Sequence, residues 1–92
     1  MPGWWHRRQK RKERIAKVRA RDGDNCWRCH KPMRFGAPFN VGKAATVEHL
    51  LALANGGTWA LDNLRLCHQG CNKFLGTHTP DQKERMRLRA EV

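Results

Sequence analysis

What this chain has least of is negative charge and unbroken hydrophobicity. Eight Asp and Glu stand against nineteen Lys and Arg in 92 residues, a formal net charge of +11. An excess of that size in so small a chain implies a polyanionic partner, with nucleic acid the first choice. No apolar run approaches the roughly 18–20 residues that a membrane span needs. The opening MPGWWHRRQKRKER has no apolar stretch after its basic residues, so no secretory leader is visible. The expectation is a cytoplasmic, intracellular protein associated with nucleic acid. Repeats and low-complexity linkers are absent too. A chain this short buries a modest core and often needs a metal or disulfide staple. In a reducing compartment its four Cys point to metal rather than to disulfides.

The positive charge is unevenly placed. Residues 1–21 carry nine Lys or Arg and one Glu, residues 22–80 six basic and four acidic side chains, and residues 81–92 four and three. The chain therefore divides into a basic arm (1–21), a nearly neutral middle (22–80) and a short tail (81–92). His6 to Arg21 contains no Gly or Pro and is rich in helix formers, with Ile15 and Val18 giving a short apolar stripe. A helix is expected there, stopped at Asp22-Gly23. Trp4 and Trp5 precede it as candidates for covering the core or stacking on bases. The cations Arg7, Arg8, Lys10, Arg11, Lys12 and Arg14 are candidate phosphate contacts.

Beyond the helix, residues 24–42 read as loop with short strands. Ala45 to Leu51 and Asn63 to Cys67 read as strands joined by the turn-rich ANGGTWALDN. Helical sequence resumes from Gln69 to about Leu75, and a last short helix is expected after Thr79-Pro80-Asp81, with Thr79 as its cap.

Cys26-Trp27-Arg28-Cys29 is a CxxC, and a second group of ligand-type residues follows about forty positions later in LCHQGCN. Two such pairs in a small basic chain point to one tetrahedral structural zinc. Cys26, Cys29 and Cys71 are ligand candidates. The remaining ligand is His68, which makes a two-residue gap to Cys71 at a helix start, or Cys67, which would complete a four-thiolate set. His30, next to Cys29, is a further candidate. Between the pairs, Glu48-His49 sets a carboxylate suited to Mg²⁺ beside an imidazole suited to general base work. In a regular strand these two side chains face opposite sides.

Taken together, RDGDNCWRC, ATVEHL, NGG, DNLRL and HQGCN resemble the HNH endonuclease family, the zinc-bearing branch of the ββα-metal nucleases, over about residues 14 to 76. The resemblance implies an α+β fold: a small zinc-stapled ββα-metal, treble-clef-like domain with a basic N-terminal helix and a short C-terminal helix. It implies His49 as general base, Glu48 in the place of the acidic metal ligand, and Asn63 as the residue that pins the loop behind the His. It implies Asn72 as a second ligand of the catalytic ion, and His68 with Cys71, Cys26 and Cys29 on zinc. The catalytic ion is expected to be Mg²⁺ or another divalent ion such as Mn²⁺ or Ni²⁺. The substrate is expected to be DNA, held mostly by its phosphates and cut to 5′-phosphate and 3′-hydroxyl ends by a monomer or weak dimer, with other DNA-processing proteins as further partners. Small stand-alone members of the family are frequent in phages and prophages. The chain departs from the usual pattern at Ala52, Asn55 and Leu75, where Pro, a basic residue and Lys or Arg are common; Lys73 is a candidate phosphate contact in place of the last. The alternative is a non-catalytic zinc-ribbon module that binds nucleic acid through the arm.

Overall fold

The computed structural model describes residues 3–36 and 42–90, with side chains from residue 6 onward. The side chains of Trp4 and Trp5 lie outside the described residues. The first helix, α1 (Gly3–Asp22), runs through the predicted arm. It stops where Gly23 takes φ 88°, a left-handed turn that costs glycine little, and donates its N–H to the Arg19 carbonyl at 2.7 Å. Val18 is buried, and Ile15, one turn earlier, packs against the same core. Arg21 then clamps the helix end, donating to the carbonyls of Leu61 (2.8 Å) and Leu64 (2.7 Å).

Two strands, β1 (Ala45–His49) and β2 (Leu64–His68), form an antiparallel ladder centred on Val47 opposite Leu66. β1 ends two residues before the predicted Leu51. The cause is Asn63, whose side chain takes the N–H of Leu51 at 2.9 Å and its carbonyl at 3.1 Å, so the strand pairing gives way to a side-chain clasp. The predicted short strands in 24–42 appear, among the described residues, as isolated bridges, Asn25 with Pro32 and Arg34 with Ala44. β2 runs directly into α2 (Gln69–Leu75), the residues expected from sequence. α1 and α2 both pack on the ladder. Leu64, Leu66, Cys67 and Leu75 close the core between them.

The last helix, α3 (Pro80–Ala90), opens with a reciprocal cap. The Gln82 N–H donates to Thr79 Oγ1 at 3.2 Å, and the Thr79 N–H donates to Gln82 Oε1 at 2.9 Å. Thr79 is thus the cap that its position before Pro80 suggested. Among the fully buried side chains the largest is a cation, Lys83 of this helix. No helix among the described residues is long and apolar enough to cross a membrane.

Candidate metal centre and hydrolytic site

The ladder carries one candidate group at each end. At the end where Ala45 faces His68, ligand atoms of Cys26, Cys29, His68 and Cys71 lie within 4.8 Å of one another, a set that can hold a zinc ion. Local folding explains the convergence. The CxxC is wound into a knuckle, with the His30 N–H donating to the Cys26 carbonyl at 2.9 Å and His30 itself at φ 67°. His68 ends β2 and Cys71 lies in the first turn of α2, so their side chains meet across the strand-to-helix junction.

The surroundings prepare these atoms for a metal. His68 Nε2 sits 2.8 Å from the Pro32 carbonyl, an acceptor, so that nitrogen carries the proton and Nδ1 is left to ligate. Nδ1 is 3.2 Å from Cys29 Sγ. The Cys26 sulfur accepts the His68 N–H at 3.4 Å, and the Cys71 sulfur accepts from Arg28 at 3.5 Å. Cys67 is not in the group. The Cys26 sulfur beside it and burial push its thiol far up, which favours the protonated form, while the Cys26 thiol is held well below the usual range. His30 Nε2 turns instead toward the Arg87 carbonyl, 3.4 Å away.

At the other end, where His49 faces Leu64, the candidate catalytic residues gather around a loop with little freedom. Asn63 Nδ2 also donates to the Thr58 carbonyl at 2.8 Å, so one side chain ties both sides of the 50–63 connection. The NGG explains the tightness of the turn. Gly56 has φ 91°, and a Cβ on Gly57 would fall 1.7 Å from the Leu51 carbonyl oxygen. No side chain fits there.

Glu48 and His49 have different neighbours, as alternation along a strand requires. Glu48 is buried, and its Oε1 accepts from Lys83 Nζ at 2.6 Å. Its Oε2 is buried with no hydrogen-bond partner. Burial pushes its pKa up against the pull of Lys83. Asn72 donates Nδ2 to Thr46 Oγ1 (3.0 Å) and to the Val47 carbonyl (2.8 Å). Thr46 and Glu48 share a strand face, so Asn72 is tied down on the Glu48 side of β1. With its nitrogen spent on the strand, the amide oxygen is the arm left to meet a cation. A carboxylate oxygen and an amide oxygen are each of the ligand type that suits a hard divalent ion.

The His49 ring meets the edge of Trp59, with centroids 4.3 Å apart and planes at 83°. Arg14 of α1 lies over the same indole, 4.1 Å from its centroid. His49 Nε2 is buried and without a partner. Burial, then the charges of Lys83 and Arg14, hold its pKa below the usual histidine value, which keeps the imidazole neutral near pH 7. Beside this edge, Arg7, Lys10, Arg11 and Arg14, at helical spacing on one face of α1, line a cavity of about 500 Å³ with Ala45, Thr46, Val47 and Trp59. Arg8 and Lys12 do not line it. Lys73 is exposed on α2, one residue past Asn72.

Sequence reasoning did not find Trp59 or Lys83. Trp59 carried one signal, a large aromatic inside a turn-rich connection. Lys83 carried none, since a lone Lys in a charged tail is ordinarily solvated.

The family model described as HNH endonuclease matches residues 26–77, more than half of the chain. No curated protein and no solved structure matches.

Proposed function

Because the chain belongs to the HNH endonuclease family, we propose that it hydrolyses DNA phosphodiester bonds, with His49 as general base and one divalent ion as Lewis acid. The observation that carries this reading is that two consecutive residues, Glu48 and His49, each bury a polar atom, Oε2 and Nε2, with no partner among the described residues. Orphaned polar atoms cost a fold about 1–3 kcal/mol each. Two in consecutive residues, at a strand end braced by Asn63, suit groups held ready for reaction partners.

In this reading each residue has one task. His49, kept neutral, accepts the proton of the attacking water. Trp59 fixes the plane of its ring, and Asn63 fixes the backbone that follows it. Glu48 and Asn72 hold the divalent ion, whose role when bound is to neutralise charge on the departing 3′ oxygen. Cys26, Cys29, His68 and Cys71 hold zinc, which staples the fold. The face of α1 bearing Arg7, Lys10, Arg11 and Arg14 supports the phosphate backbone alongside β1, with Arg8, Lys12 and Lys73 adding to the general attraction for DNA.

The test is supercoiled plasmid incubated with the zinc-loaded chain and Mg²⁺, Mn²⁺ or Ni²⁺. Nicking or cutting is expected, and His49→Ala should lower the rate by on the order of 10²–10⁴ while zinc content and DNA affinity hold. Because the lowered pKa leaves the base form present above it, activity should fall only as pH drops below the ordinary histidine value of 6.5. Plasmid left intact under all three metals would remove the hydrolytic reading and leave a zinc-stapled nucleic-acid-binding module.

A further inference from the structure

Lys83 is hard to explain as a structural residue. Its side chain is 0% exposed, and that of its partner Glu48 is 3% exposed. It is the fourth residue of α3, close to the positive end of the helix dipole, where a cation is disfavoured. A buried ion pair is also a weak source of stability, since well-packed apolar side chains commonly do as well. Yet the ammonium is tightly placed. Nζ donates to Glu48 Oε1 and to the His49 carbonyl, both at 2.6 Å, and the capped first turn of α3 fixes its approach. Both contacts are with the two residues assigned above to the chemistry. α3 itself begins after the family match ends at residue 77.

We propose that Lys83 is a resident cation of the hydrolytic site, which competes with the divalent ion for Glu48 and so sets how much metal the protein needs. This rests on the reading of Glu48 as a ligand of that ion. With Oε1 neutralised by the ammonium, only Oε2 is open. A divalent ion arriving there meets a positive charge across one carboxyl group, in a place too dry for water or salt to screen it. Binding the ion and keeping the Lys83–Glu48 contact oppose each other, so α3 acts as a latch that the metal loosens and that closes when the metal leaves. The latch also reaches the base, because the same ammonium holds the His49 carbonyl.

The experiment is a Mn²⁺ titration of the zinc-loaded full chain, followed by the electron paramagnetic resonance signal of free Mn²⁺. Lys83→Met should bind Mn²⁺ roughly tenfold more tightly or better than the parent, with zinc content unchanged. Lys83→Met combined with Glu48→Gln should lose that gain. Equal or weaker binding by a folded Lys83→Met chain overturns the competition. A gain that survives Glu48→Gln overturns instead the assignment of Glu48 as a ligand, on which the proposal stands. Should Lys83→Met fail to fold, the parent protein answers through the ¹⁵N signal of the Lys83 ammonium. Its shift on saturation with Mg²⁺ supports the latch, and an unmoved signal while Mg²⁺ binds overturns it.

Discussion

The two ends of one five-rung ladder are finished in opposite ways. At the His68 end the atoms that can hold zinc are backed by protein donors and acceptors: Pro32 orients the imidazole, the His68 N–H reaches Cys26, and Arg28 reaches Cys71. At the His49 end two buried polar atoms have nothing to bond. Four residue steps along the strand separate the two ends, about 13 Å. The difference teaches how a small domain divides its work. Arg28 Nε, beside Cys71, is a third buried atom without a partner among the described residues, but at that end the candidate ligands themselves are engaged, whereas at the other the unpartnered atoms belong to the candidate site residues.

Removing metal at the His68 end should break this comparison most completely. A structural zinc is worth about 10–16 kcal/mol of apparent binding energy. Chelation, or Cys29→Ala or His68→Ala, should therefore cost the folded state, seen as loss of helical circular dichroism together with zinc. Cys67→Ala should keep its zinc, because that thiol lies outside the group of four. Zinc lost from Cys67→Ala and kept by His68→Ala would reverse the ligand assignment.

A smaller and more local effect is expected from Asn63→Ala. Three hydrogen bonds from one side chain go with it, a loss of about 1–3 kcal/mol, and the brace behind His49 loosens. Cleavage should slow much more than zinc binding suffers. Equal losses of both would mean that the two ends are a single unit. The gentlest test replaces Arg7, Lys10, Arg11 and Arg14 with Gln. Affinity should drop alike for unrelated DNA sequences, and the salt dependence should flatten by about 0.9 in log–log slope per phosphate contact removed. A loss confined to one sequence would point to base reading.

How much of this was legible in the sequence depends on range. Gly23 ends α1, Thr79 caps α3, and the His68-to-Cys71 gap sits at a helix start; each signal is spent within a few residues of where it is written. Asn63, His49 and Asn72 stand out in the sequence only because their spacing follows a family pattern, which makes them candidates. That Asn63 pins the loop behind His49 was implied by the same pattern; that the clasp ends β1 at His49 rather than Leu51 was not legible, since it depends on a contact twelve residues away. Lys83 lay further out of reach. It meets Glu48 across 35 residues, and neither a cap nor an apolar period marks its side of α3 as the inner one. The opposed facing of Glu48 and His49 was readable from strand alternation alone, and their neighbours follow it.

The missing side chain at position 57 bears on anyone who wishes to retarget this protein. The stretch between the strands is an obvious place to graft new specificity, and most of it is exposed enough to vary. Beside Asn63 and Trp59, which hold the loop and the imidazole by their side chains, Gly57 is fixed by having none. Anything larger drives the Leu51 carbonyl outward and pulls apart the knot Asn63 ties behind the imidazole, so a randomised library that spares this one codon should retain far more working clones than one that does not.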